Sequence, residues 1–586
     1  MAECEKTMKK LLIYLKDYKK ESVLGPLFKL LEASFELIVP LIIAAIIDTG
    51  IAGRDRSYVL KMCVVLIVLG IVGLISSVTA QFFAAKAAVG FATKLKHALF
   101  KHIQSLSYTE IDTLGTSTMI TRMTSDVNQV QSGVNLVLRL LLRSPFVVFG
   151  AMIMAFTIDV QAALTFVAAI VLLSIVIFGI MLISIPLYKK VQTSLDKVLL
   201  TTRENLAGVR VIRAFCKEEE ETEKFRARNE SLTANQKYVG KISALLNPLT
   251  YVIINISIVV LIWVGAIRVE AGILTQGAVV ALYNYMSQIL VELIKLANLI
   301  VSVTKSVACG NRIQSIFEIK SSIEYGDRTQ PADTDEAVRF DHVSLAYKNA
   351  GEESLTDITF TAKKGEVIGV IGGTGSGKSS LVNLIPRFYD ATAGNVYVNG
   401  VNVREYTAEA IEKTVGVVPQ KAVLFKGTIR ENMKWGKSDA TDDEINAALE
   451  TAQGKEIVDG KAEGLDYVIA QGGKNLSGGQ RQRLTIARAI VKKPDILILD
   501  DSSSALDYAT DARLRGALKN LSYSPTVFIV SQRASSIQHA NQIIVLDDGK
   551  VSAIGNHDTL LKTCDVYREI YNSQFSKNTK EVGANE

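Results

Sequence analysis

Only five cysteines occur in the 586 residues, at Cys4, Cys63, Cys216, Cys309 and Cys564, with no CxxC pair and no metal-ligand spacing. That scatter excludes a disulfide framework and a zinc site and leaves inert thiols. Also lacking is a compact basic patch with interleaved aromatics, so the net charge of +6 does not point to nucleic acid as a partner. The lysine-rich start, Met1 to Lys20, has no small-residue cleavage site behind a short apolar core. It reads as an amphipathic helix lying on the inner membrane face.

What is abundant is apolar sequence, and it is unevenly placed. The length suits two or three units, and the mean hydropathy of +0.25 averages two unlike halves. Up to about Lys305 there are repeated apolar runs near the roughly 20 residues needed to cross a bilayer; beyond Gly310 the chain reads as soluble α/β. Six spans are expected, at about 23–47, 58–84, 134–158, 161–187, 243–267 and 277–303. Lysines crowd the N-terminus and the 85–130 and 188–241 connections, which places both termini in the cytoplasm. Those two connections hold few Pro or Gly breaks, so the spans should continue outward as helices. Their reversals are expected near Tyr108–Asp126 and Asn205–Phe215, as short helices touching the soluble domain.

Ionisable groups inside the spans cost roughly 3 kcal/mol or more when they face lipid, so each needs an account. Lys29, Glu32 and Glu36 share a face, as do Arg139 and Arg143, and Asn284, Gln288, Glu292 and Lys295 form a stripe. They line a wet cavity or gate, or they pair with one another and hold the bundle together.

In the soluble half, the strand-like Gly365–Ile371 runs into Gly372-Gly373-Thr374-Gly375-Ser376-Gly377-Lys378-Ser379-Ser380, with a helix expected from Lys378. Strand, glycine loop and helix in that order form a P-loop. Glycines let backbone N–H groups curl around phosphate oxygens, Lys378 neutralises the β- and γ-phosphates, and Ser379 offers its hydroxyl to magnesium. Ile496-Leu497-Ile498-Leu499-Asp500 reads as a buried central strand whose terminal acid orients magnesium waters. Leu476-Ser477-Gly478-Gly479-Gln480 follows the loop by about a hundred residues.

With these motifs the whole chain resembles a half-transporter of the ATP-binding cassette (ABC) exporter family. The resemblance implies a six-helix membrane α-helical bundle fused to a cytoplasmic α/β nucleotide-binding domain, with ATP and Mg2+ as cofactors. It also implies boundaries: an interfacial helix at 1–20, the membrane domain at 21–310, a linker at 311–336, the nucleotide-binding domain at 337–575 and a tail at 576–586. By the same resemblance Tyr347 stacks on adenine, Gln420 touches magnesium, and Ser504-Ala505-Leu506-Asp507 crosses to the opposite domain. Two such domains face each other head to tail, so Leu476 to Gln480 completes the partner's site rather than this chain's own.

Two positions depart from that pattern. Where hydrolysing members carry Glu after the strand-end acid, this chain has Asp501; where they carry a His near the γ-phosphate, it has Gln532. A carboxylate one methylene shorter is withdrawn by more than about 1 Å, which can cost on the order of a hundredfold in rate, and a neutral amide cannot replace a charged imidazole. Gln471, where many exporters have Glu, is a lesser departure. The resemblance then implies a degenerate site and a non-identical half-transporter as partner, as in bacterial heterodimeric multidrug exporters. Cell-membrane location and a hydrophobic or amphiphilic small-molecule cargo follow by the same analogy, with a lipid or peptide translocator and an ATP-bound regulatory subunit as alternatives. No protease domain stands before the first span, which disfavours a peptide-processing exporter.

Overall fold

A computed structural model describes residues 10–348 and 350–575. The tail expected at 576–586 and the first nine residues of the expected interfacial helix lie outside the described residues. The chain forms two compact units, one from Met1–Gln104 with Ser117–Ile319 and the other from Ser105–Thr116 with Lys320–Glu586, each taken over its described residues.

In the first unit the long helices are α1 (Lys19–Ala45), α2 (Arg56–Gln104), α3 (Val127–Leu140), α4 (Arg143–Ile158), α5 (Val160–Ala207), α6 (Glu218–Ala244), α7 (Leu246–Glu270) and α8 (Gln276–Phe317). Among the described residues, six helical runs are long and apolar enough to cross a membrane: Leu12–Ile51, Arg56–Gln104, Thr116–Ile158, Val160–Ala207, Glu218–Glu270 and Gln276–Phe317. They contain the six expected spans. Their excess length carries α2 and α5 well beyond the apolar stretches, as the scarcity of helix breakers requires.

Two differences from the sequence expectations have physical causes. First, the described part of the expected amphipathic interfacial helix is a short 3-10 helix, Leu12–Tyr18, set off from α1 by Tyr18 at φ −110° and ψ 29°. Leu11 is buried with Phe91, Leu95 and Leu99 of α2, so this segment finds its apolar partner in protein. Second, α8 runs to Phe317, past the boundary expected near 310, because Ile313 and Ile316 are buried on the same cluster. At the expected reversal Asn205–Phe215 stands a short helix, Val209–Ala214, in the first unit; Leu206, Val211 and Phe215 around it are exposed.

Small residues let α1 and α2 approach closely. A Cβ on Gly25 would lie 3.4 Å from the Ala84 backbone nitrogen, and Ala80, Ala84, Ala87 and Ala88 are buried. Most of the ionisable residues noted in the spans are paired, while the Arg139 Nε is buried without a hydrogen-bond partner. The Arg143 guanidinium donates to Glu292 at 2.5 Å and to Glu36 at 2.6 Å, and Ser144 and Lys295 each donate to Glu292 at 2.8 Å. Lys29 pairs with Glu32 at 2.5 Å and reaches Ser77 at 3.2 Å. One charge network thus ties α1, α4 and α8, the arrangement that burial of charge demands.

The second unit is built on two large sheets and a small two-stranded one. Its strands are β1 (Glu336–Leu345), β2 (Leu355–Lys363), β3 (Val367–Gly372), β4 (Ala393–Val398), β5 (Val401–Asn402), β6 (Val415–Val418), β7 (Gly427–Thr428), β8 (Val468–Ile469), β9 (Ile496–Asp500), β10 (Thr526–Val530), β11 (Gln542–Asp547) and β12 (Lys550–Gly555). A six-stranded sheet runs β12-β11-β3-β10-β9-β6, a four-stranded sheet runs β2-β1-β4-β5, and the two-stranded one is β7-β8. β3 is flanked by β11 and β10, both parallel to it, and all five residues of β9 are buried. Continuous apolar strands of this kind need cover on both faces, and two core clusters supply it.

The short helix Tyr108–Leu114 lies in this unit. Its Tyr108 ring sits 4.7 Å from Phe388, and its Asp112 accepts the Tyr389 hydroxyl at 2.6 Å. Glu110 accepts from the Ser322 amide and hydroxyl at 3.3 Å and from Ser107, so both ends of the helix are tied down.

Candidate nucleotide site

The site lies where β3 ends. A parallel strand delivers the chain to the carboxyl edge of the sheet, and the loop from Gly373 to Gly377 turns it into the helix Lys378–Leu384. Gly377 has φ +90°, and a Cβ there would lie 2.7 Å from the Ser354 carbonyl, so only glycine fits. Together with Gly375 at φ +87°, it turns the loop backbone so that its N–H groups can face an anion.

Lys378 is folded back into its own loop, donating to the Gly372 carbonyl at 2.9 Å and the Gly373 carbonyl at 2.5 Å. Burial pushes its ammonium below the usual lysine range, with Asp501 and Asp500 opposing that shift. A phosphate arriving here would exchange two carbonyl acceptors for a charged one, a stronger hydrogen-bond partner.

Ser379 donates to Asp500 at 3.1 Å, and Gln420 donates to Asp501 at 3.4 Å. Burial pushes the Asp500 carboxyl up; the Ser379 hydroxyl offsets part of this, and the adjacent Asp501 adds to it. Two neighbouring carboxylates, a serine hydroxyl and a glutamine amide are an oxygen-rich donor set suited to a hard divalent cation such as magnesium, which would relieve the crowding of the acids.

A pocket of about 260 Å³ brings together Thr374, Gly375, Gly377, Lys378, Ser379, Ser380, Gln420, Asp500, Asp501 and Gln532. Asp501 and Gln532 therefore face the same space as the loop lysine. Asp501 has φ +44°, a left-handed conformation that Asp adopts more readily than most residues. Gly372, Gly373 and Ser376 belong to the loop without lining this pocket. Tyr347 stands beside it, donating to Ser380 at 3.0 Å.

The Leu476–Gln480 segment does not line this pocket. Leu476 is buried, and Ser477 caps the helix Gly478–Val491 in a reciprocal capping box with Gln480. Asp507 caps the helix Tyr508–Lys519 by accepting from the Thr510 amide at 2.8 Å.

Sequence reasoning missed Ser354, Val530 and Ser531 on the pocket wall. It also missed Tyr389, whose ring meets Tyr347 edge-on at 5.0 Å and whose hydroxyl reaches Asp112. No motif marks these residues; they meet through the fold.

Comparison with known proteins fits this geometry. The profile of the ABC transporter transmembrane region matches residues 22–293, and that of the ABC transporter cassette matches residues 355–504. The chain is 35% identical over 574 residues, 98% of its length and 100% of the other's, to the uncharacterized ABC transporter ATP-binding protein YfiB of Bacillus subtilis. It is 32% identical over 477 residues, 81% of its length and 83% of the other's, to the ATP-dependent lipid A-core flippase of Desulfotalea psychrophila. It is 30% identical over 594 residues, 97% of its length and 99% of the other's, to YgaD of B. subtilis, provisionally named a multidrug export ATP-binding/permease protein. The solved structure of a bacterial Atm1-family ABC exporter with ATP bound superposes with a TM-score of 0.79 at 21% identity, covering 95% of this chain and 98% of that one. Six membrane-crossing helices and a P-loop cassette in one polypeptide, with relatives alike along nearly its whole length, make this chain a member of the ABC transporter family with the exporter fold.

Proposed function

We propose that this chain is one half of a heterodimeric exporter that holds MgATP at its own P-loop and leaves rapid hydrolysis to an unlike partner. The observation that carries the proposal is the meeting of Asp501 and Gln532 with Lys378 and Ser379 in one pocket. Lys378 and the loop amides hold the phosphates, Ser379, Gln420 and Asp500 hold magnesium, and Tyr347 stacks on the base. Magnesium, when bound, supplies charge neutralisation between the phosphate oxygens. Asp501 is too short to position the attacking water well, and Gln532 carries no charge to the γ-phosphate.

The placement of Leu476–Gln480 away from this pocket supports its use on the partner's nucleotide, and Asp507 would lie along that same seam. Exposed Leu206, Val211 and Phe215 support a partner subunit that covers them. Both termini and the nucleotide-binding domain, at about 337–575, lie on the cytoplasmic side of the cell membrane. The cargo is a hydrophobic or amphiphilic molecule, a class to which the names of the flippase and multidrug-export relatives lend support.

The test is the purified full-length chain alone. It should bind MgATP, lose that binding on Lys378→Ala, and turn over slowly. Brisk steady-state hydrolysis without a second polypeptide would overturn the division of labour.

A further inference from the structure

The segment Ser531-Gln532-Arg533 leaves β10 at the pocket wall and enters the short helix Ala534–Ile537. A side chain from the far C-terminal helix, Asp565–Phe575, grips it at two points. The Gln574 amide donates to the Gln532 carbonyl at 2.8 Å, and its oxygen accepts from the Ala534 amide at 2.9 Å. One side-chain amide thereby satisfies a donor and an acceptor two residues apart, as a neighbouring strand would.

The helix that presents Gln574 is itself fixed. Tyr567 is fully buried and its hydroxyl lies 2.8 Å from His557 Nδ1, while Val566, Ile570 and Tyr571 pack on the core cluster that includes Ile529 and Ala534. The gripped segment has other anchors as well: the Arg533 guanidinium donates to the Ser504 carbonyl at 3.5 Å, and the Arg533 carbonyl accepts from the Ser536 amide at 3.2 Å. The Ser531 amide donates to Val370, and the Arg533 amide bonds back to the Ser531 hydroxyl. Arg533 also lies over the Tyr508 ring at 5.1 Å. With its carbonyl held, residue 532 has a restricted backbone rotation, and this sets how its side chain enters the pocket.

We propose that Gln574 is a positioning residue for Gln532, so that the C-terminal helix sets the γ-phosphate face of the nucleotide pocket. The proposal rests on the MgATP reading given above, and its test is built so that the two fail separately. Two readouts are taken on the full-length chain and on Gln574→Ala and Gln574→Glu. The glutamate keeps the volume and the acceptor but cannot donate to the Gln532 carbonyl.

Without nucleotide, hydrogen exchange of the 531–537 peptide should quicken by about three- to tenfold in Gln574→Ala, the effect of losing one or two hydrogen bonds of ordinary strength. With nucleotide, both variants should weaken MgATP by about threefold or more while MgADP stays within about twofold, because only ATP reaches the Gln532 face. In a Gln532→Ala background the ATP-specific loss should vanish, which a merely structural role would not produce. Ser573→Ala, next in sequence and outside the grip, should match the parent in both readouts. Unchanged exchange in Gln574→Ala overturns the grip. Faster exchange with equal losses for ATP and ADP overturns the positioning role. If Lys378→Ala binds MgATP as well as the parent does, the pocket reading fails, while the grip is still decided by exchange.

Discussion

The hydroxyl of Tyr389 donates to the carboxylate of Asp112 at 2.6 Å, across 277 positions of sequence. Burial, and then this bond, push the Tyr389 phenol well above its ordinary range, so it keeps its proton and stays a donor. Tyr389 also meets Tyr347 edge-on at 5.0 Å, and Tyr347 holds Ser380 at the end of the phosphate loop. The helix Tyr108–Leu114 is thus joined to the pocket by two aromatic rings and two hydrogen bonds. Tyr389→Phe removes the bond and keeps the ring. Hydrogen exchange in the 105–116 peptide should then quicken by about three- to tenfold, with Asp112→Asn intermediate because an amide oxygen still accepts.

Restoring the hydrolytic pair should reveal what each loss contributes. Asp501→Glu together with Gln532→His should raise hydrolysis at this site by on the order of tenfold or more, measured as steady-state phosphate release. Because position 501 is left-handed, the longer Glu should cost roughly 1 kcal/mol of stability, read as a lower midpoint of thermal unfolding. No gain in turnover from the pair would place the defect elsewhere.

Asp500 gives a pH dependence with a definite sign. Burial raises its pKa in the folded chain, so the nucleotide-free protein holds this proton at a higher pH than an ordinary aspartate, near 4, would. Magnesium binding needs the carboxylate. Affinity for MgATP should therefore fall as pH drops, beginning above the usual carboxylate range, and Asp500→Asn should flatten that part of the profile while weakening binding. A parent profile matching that of Asp500→Asn would remove Asp500 from the metal site.

The charge network in the spans should respond asymmetrically. The side chains of Arg143 and Glu292 are 6% and 4% exposed. Arg143→Leu leaves Glu292 with Ser144 and Lys295 alone and Glu36, 42% exposed, without its cation, and should cost roughly 3 kcal/mol, measured by thermal unfolding in detergent. Replacing Glu36, Arg143 and Glu292 together with Leu should recover much of that loss, since the buried charges are removed together and the one cation left unpaired, Lys295, is 41% exposed.

Much of this was legible in the sequence for local reasons. A P-loop is a contiguous run whose glycines, lysine and serine must follow one another, and Gly375 and Gly377 have the positive φ that such a turn requires. Six spans are legible because lipid demands long apolar helices, and Asp501 and Gln532 announce themselves as residues out of pattern. For the spans' ionisable groups, sequence left both a cavity and mutual pairing open. The structure pairs Arg143 with Glu36 and Glu292, three residues on three helices.

Sequence by itself determined the identity of the parts: crossing helices, phosphate loop, capping segment and strand-end acids. Each rests on spacing along one stretch of chain, where periodicity and backbone sterics act over a few residues. Only the tertiary structure decided which parts meet: Tyr389 with Asp112, Gln574 with Gln532, Leu11 with Phe91. Those pairings join residues tens to hundreds of positions apart. They are fixed by which faces bury together when sheets and helices close on their cores, and no local pattern encodes that.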